Sequence, residues 1–241
     1  MLKTLFTTVL VGFYSLAPVL GFAQDSQSQP LFEYSAINHP VMGTRGMVAS
    51  HNALSSEIAA GILDRGGNAF DAGAALGFAL AVTLPRAGNI GGGGFMLLYI
   101  AEENRTVAID FRETAPAAAR QDMFFDANGN VVADETYRFS HKSSAVPGSV
   151  AGLAHIVEKY GNMSLAEVPE PAIRLARDGI EVTWDLAMDL DRSQRLKNNP
   201  ASLRKFYKPD GSSYQVGELF KQPDLAWTLA EIAEHGVDAF Y

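Results

Sequence analysis

The stretch "NIGGGGFMLLYIAEENRTVAIDFRE", residues 89–113, decides how the rest of the chain is read. Glycines lead into an apolar run, a polar segment follows, and a second run of alternating character ends at an arginine. The pattern predicts a hairpin, with strands over 95–101 and 106–112 and a turn at Glu102-Glu103-Asn104-Arg105. Gly91 to Gly94 do not make a phosphate loop. A dinucleotide fingerprint starting at Gly91 would need glycine at position 96, where Met96 stands, and a strand follows instead of the helix that would hold the phosphate. Their expected use is close backbone approach and unusual dihedrals where the chain enters a buried strand. With period two, Val107, Ile109 and Phe111 face one side, and Ala108, Asp110 and Arg112 the other. Arg112 stands between two acids, Asp110 and Glu113. Either it forms an exposed ion pair worth about 0–1 kcal/mol, or the acids hold its guanidinium fork to grip a ligand carboxylate. Spacing does not decide between these.

Upstream, "GMVASHNALSSEIAAGILDRGG" (46–67) reads as a short strand, a turn and a helix that Gly66-Gly67 stops. "NAFDAGAALGFALAVTLP" (68–85) is a helix apolar almost all round. Its run over 72–84 is too short to span a bilayer, so it is read as a buried core helix whose Gly73 and Gly77 let another backbone come close. Residues 114–147 look irregular. Beyond them "GSVAGLAHIVEKYG", "SLAEVPEPAIRLARDG", "WDLAMDLDRSQRLKNN" and "DLAWTLAEIAEHG" each carry apolar residues three or four apart and predict helices. One hairpin and one short strand cannot cover so many apolar helices, and the chain stops at "VDAFY" just after a helix. It reads as part of a larger fold.

The 241 residues are 47% hydrophobic and 19% charged, which favours a packed core. Lys3, the apolar "TLFTTVLVGFYSLAPVL" and the small residues Gly21 and Ala23 predict a signal peptide over 1–23, cut before Gln24. The expected products are an exported protein, periplasmic in a Gram-negative host, with no membrane anchor after cleavage. A polar linker over 24–35 follows, and the fold occupies 36–241. The chain has no cysteine, so it has neither a disulfide framework nor a lipid-modified cysteine. Removing Lys3 leaves 18 basic against the 27 acidic residues, a net charge of −9, which argues against nucleic acid and anionic membranes as partners.

Other chemistry finds little support. The histidines at 39, 51, 141, 155 and 235 make no HExxH and no close pair, so no metal is expected. His51 follows the first predicted strand and is read as a structural histidine, with a place beside a cleft as the alternative. "PGSVAG" (147–152) has Pro147 where a nucleophile elbow needs glycine, so Ser149 is read as the start of a helix. No cofactor is implied.

The segments "GMVASHNALSSEIAAGILDRGGNAFDAGAALGFALAVTLPRAGNIGGGGFMLLY" and "AIDFRETAP", then "VPGSVAGL", "KYG", "PAIRLARDGIEV" and "GVDAFY", resemble the gamma-glutamyltransferases (glutathione hydrolases). They follow in that order over 36–241. The resemblance implies an α+β fold of the N-terminal-nucleophile hydrolase type, a four-layer αββα sandwich. This chain would supply an incomplete, mostly helical part of it, the N-terminal portion of the large subunit. It also implies an inactive precursor that cuts itself, freeing a threonine on the small subunit. The threonine's own α-amine acts as base for its attack on a γ-glutamyl amide. Backbone donors would stabilise the oxyanion, and water or an amino acid or dipeptide acceptor would take the glutamyl group from glutathione or a related compound. No residue matches the nucleophile motif, so no catalytic residue is assigned and the segment alone is expected to be inactive. Arg112 matches the family arginine that binds the α-carboxylate of the substrate's glutamate. Asp110 and Glu113 are then expected to orient it. A related acylase acting on a glutaryl or poly-γ-glutamate substrate, and a non-catalytic exported binding protein, are the competing readings.

Overall fold

A computed structural model describes residues 41–133, 137 and 139–241. The predicted signal peptide, the linker and His39 lie outside the described residues. The unit Gly43–Tyr241 is mixed helix and strand.

Helix α1 (Ala53–Asp64) starts where the Asn52 side chain accepts from the Ser55 amide. Helix α2 (Ala69–Thr83) starts in a capping box: Asn68 accepts from the amides of Phe70 and Asp71, and Asp71 accepts from the Asn68 amide. The expectation of a core helix holds, because α2 buries Ala74, Phe78, Ala79 and Val82 completely. Each large apolar side chain removed from water in this way contributes about 1.5–3 kcal/mol. The glycines of α2 act otherwise than expected. A Cβ at Gly77 would meet the side chain of Leu153 at 2.8 Å, and Gly73 faces open space. Gly77 therefore makes room for a leucine rather than for a backbone.

α2 is the hub of the packing, against α1, α3 (Ser149–Tyr160) and α4 (Glu170–Asp178), and α4 packs in turn on α8 (Pro223–His235). Between α4 and α8 run α5 (Trp184–Arg192), α6 (Gln194–Asn198) and α7 (Pro200–Phe206). Two predicted helices prove shorter. The one expected over 164–179 begins only at Glu170, because prolines 169 and 171 suit a first turn and not an interior. The one expected over 184–199 breaks at Ser193. Helix α7, with its Asn199 cap, was not foreseen.

Strands β1 (Phe95–Ile100) and β2 (Arg105–Asp110) form the predicted hairpin, antiparallel, with Phe95 opposite Asp110 and Ile100 opposite Arg105. A 3-10 turn at Ala101–Glu103 and a left-handed Asn104 (φ 47°) close it. The strands end earlier than predicted, and Arg112 lies beyond β2. Nor is β1 wholly buried, since Phe95, Leu97 and Tyr99 are exposed on one face while Leu98 is buried on the other. A second pair, β3 (Ile180–Glu181) with β4 (Leu219–Phe220), is too short to show a period. The strand expected within 46–50 is absent, because no described segment offers its backbone a partner.

No helix among the described residues is long and apolar enough to cross a membrane.

Candidate substrate-binding site

Past the end of β2 the chain runs between two walls. Phe111 exchanges backbone hydrogen bonds with Gly94, at 3.0 and 3.3 Å, and Thr114 exchanges them with Val146, at 3.1 and 2.9 Å. The walls are joined to each other, because the amides of Gly148 and Ser149 both donate to the Gly92 carbonyl, at 2.8 and 2.9 Å. Residues 111–114 thus sit in a trough of backbone.

Small residues make the trough possible. A Cβ on Gly93 would lie 2.5 Å from the Phe111 carbonyl oxygen and 2.9 Å from Arg112 Cα, and one on Gly148 would lie 2.1 Å from that same oxygen. Backbone cannot yield to such contacts, so both positions exclude a side chain. Gly94 and Gly152 flank the Phe111 ring, which a Cβ would meet at 2.9 and 2.4 Å respectively. The expected close approach at the glycine run is met at Gly93. Unusual dihedrals are not, since none of residues 91–94 has a positive φ.

Arg112 projects from this fixed backbone, and its side chain is 62% exposed. The two acids beside it do different things. Asp110 Oδ1 accepts the Arg112 backbone amide at 2.9 Å and so fixes the turn out of the strand. Glu113 Oε2 accepts from the Arg112 Nε at 2.9 Å, and the guanidinium carbon stands 5.8 Å from the centroid of the Phe95 ring. No hydrogen bond from either terminal amino group of Arg112 is present among the described residues. At the surface a single ion pair of this kind contributes little stability. Its geometric effect is larger: with Nε engaged, the fork presents its far edge.

The Glu113 carboxyl is held below the usual glutamate value, first by its own backbone amide, then by the hydrogen bond and charge of Arg112. A depressed folded-state pKa means that the restraint is complete above about 4.5 and is lost as pH falls through the lowered value. A carboxyl-carbon NMR titration should therefore place the Glu113 midpoint below 4.5. Arg112→Ala should move it back up, whereas an unmoved midpoint would mean that the pair does not persist in solution.

The sequence-predicted residues Asp110, Arg112 and Glu113 are thus brought together. Ser149 is the first residue of α3, as expected, and is buried. His51 departs from the structural reading: it is exposed and lines a separate open cleft of about 840 Å³, with Arg86 and Asp189 paired at 3.0 Å on its wall. No cluster of acids and histidines able to hold a metal ion occurs among the described residues. The part that Gly148, Gly152 and residues 146–148 play around Arg112 had no signal in sequence.

The match to known proteins runs through this site. The gamma-glutamyltranspeptidase family model matches residues 55–241, and the chain belongs to that family. It is 47% identical over 205 residues to the glutathione hydrolase proenzyme of Escherichia coli K12, covering 84% of this chain and 35% of that protein. It superposes on the gamma-glutamyltranspeptidase of Helicobacter pylori with a TM-score of 0.80 at 42% identity, over 84% of this chain and 58% of the other. The cephalosporin acylase of Bacillus halodurans is similar at 27% identity and a TM-score of 0.70, over 87% of this chain and 41% of that one. The fold is therefore the expected α+β, N-terminal-nucleophile hydrolase type, of which these residues form a mostly helical part. The chain spans about 31–40% of the length of the curated relatives it matches.

Proposed function

We propose that these residues belong to the large subunit of an exported γ-glutamyl-transferring hydrolase precursor, and that Arg112 holds the α-carboxylate of the glutamyl donor. The observation that carries this reading is the Arg112 fork, set at the family's arginine motif on a mostly exposed side chain, with Nε engaged by Glu113 and no hydrogen bond from its terminal amino groups among the described residues. A carboxylate meeting those groups would make two parallel charge-assisted hydrogen bonds.

The acyl transfer itself would be done by a threonine outside these residues, freed by self-cleavage and using its α-amine as base. Water would give hydrolysis, and an amino acid or dipeptide would give transfer. The N-terminal 23 residues would direct export. Glutathione is the donor suggested by the names of the relatives.

A second reading, an acylase with a different side chain in the pocket, is favoured only by the likeness to the cephalosporin acylase. The exposed Phe95, Leu97 and Tyr99 weigh against a free-standing binding module, since an apolar face of this kind calls for cover.

The test is to express the longest reading frame containing these residues and follow its intact mass. One chain should become two, with threonine at the new N-terminus, and the product should release aniline from a γ-glutamyl anilide. A single chain stable for days and inert to that substrate would refute the proposal.

A further inference from the structure

One contact reaches the trough from far along the chain. The Tyr241 hydroxyl donates to the Pro147 carbonyl at 2.6 Å, across 94 residues, and accepts from the Ala151 amide at 3.4 Å. Ala151 lies in the first turn of α3, where amides have no carbonyl partner within the helix, and the Gly148 N-cap supplies no side chain to replace one. The phenol therefore caps α3 from outside while it ties down Pro147. Tyr241 is itself held: it follows the 3-10 turn Val237–Ala239, its amide donates to the Val237 carbonyl, and the Phe240 ring packs edge-on at 5.0 Å.

What Pro147 leads into matters. Its neighbours Val146 and Gly148 are the wall that pairs with Thr114 and presses on the Phe111 carbonyl. We infer that Tyr241 is a positioning residue for Arg112, setting the aim of the guanidinium by anchoring the 146–148 wall against which residues 111–114 are laid. This rests on the reading of Arg112 as the carboxylate clamp. The chemistry gives it a distinct signature. An error in the wall displaces the clamp and should spare whatever part of turnover does not depend on the α-carboxylate.

The experiment uses the self-processed full-length protein and two anilides, γ-glutamyl and 4-aminobutanoyl, the second being the first without its α-carboxylate. The quantity read is the ratio of their kcat/KM values. Arg112→Ala should collapse this ratio. Tyr241→Phe, which removes only the hydroxyl, should lower it about three- to tenfold, the scale of one lost hydrogen bond. The loss should appear as a raised KM for the γ-glutamyl anilide. Collapse in Arg112→Ala with an unchanged ratio in Tyr241→Phe would overturn the role of Tyr241 and leave the clamp standing. An equal fall on both substrates would overturn it too, as a structural defect. An unchanged ratio in Arg112→Ala would defeat the clamp, and with it this inference. Should Tyr241→Phe not fold by thermal melt, Tyr241→Leu, which also lacks the hydroxyl, is read in its place: a folded Tyr241→Leu protein must show the lowered ratio, and an unaltered one would reject the inference.

Discussion

Arg112→Ala in the full-length, processed protein should lower kcat/KM for a γ-glutamyl anilide by about 10²- to 10⁴-fold. A bidentate guanidinium–carboxylate contact comprises two charge-assisted hydrogen bonds of roughly 1.5–3 kcal/mol each, and 1.4 kcal/mol is a factor of ten. Deleting it also leaves the substrate carboxylate without a partner, so the loss falls near the top of that range when the site is closed to water. Arg112→Lys should recover only part. Lysine restores a charge but not the planar fork, and it has no second edge for Glu113 to hold while the first meets the ligand. Steady-state kinetics on both variants check this. A lysine variant with wild-type constants would mean that Arg112 acts as a point charge, and an alanine variant with wild-type constants would remove it from the site altogether.

The second large effect concerns stability. Asp71 is fully buried, yet its carboxylate accepts three backbone amides: Asn68 at 2.8 Å, Asn162 at 2.9 Å and Met163 at 3.3 Å. It closes the start of α2 and at the same time pins the turn that leaves α3. The Asn68 side-chain amide adds a bond to the Tyr160 carbonyl at 2.6 Å in the same knot. Asp71→Ala takes the acceptor from three part-buried amides and opens a gap in the core, at up to about 1–3 kcal/mol for each donor left unmet. Allowing for relaxation, a cost of about 3–5 kcal/mol follows, which for a unit of this size lowers the apparent melting temperature on the order of 10 °C. Asp71→Asn should cost less but remain destabilising, because its amide nitrogen must face an amide it cannot accept from. A thermal melt by circular dichroism decides the matter, and a shift of only a degree or two would show that the turn finds other acceptors.

How much of this could be read in advance depends on range. The hairpin was legible because period-two alternation and a polar turn are local signals, and α2 because no polar side chain occurs over its residues 72–82. Its boundaries were less so: β2 stops at Asp110 because the Asp110 side chain captures the Arg112 amide, a bond that periodicity does not register. Helix α4 starts late for a local reason, its prolines, and that was there to be seen. The two-residue strands β3 and β4 are set by each other across the fold and carry no pattern of their own. At the candidate site, that residues 110, 112 and 113 lie together was legible because they are near neighbours in sequence. The exclusion of side chains at Gly148 and Gly152, and the reach of Tyr241, were not, since each depends on a surface built from segments far apart in sequence.

The apolar face of the hairpin has a consequence for synthesis. Phe95, Leu97 and Tyr99 leave the ribosome early, on a strand pair whose outer edges pair with no further strand among the described residues. Between translation of this hairpin and the arrival of whatever covers it, the nascent polypeptide carries a surface suited to binding others like itself. Yield of the protein is then governed less by its final stability than by how long that interval lasts. Slowing elongation downstream of the hairpin would lengthen the interval, and a holdase bound to the hairpin would shield it.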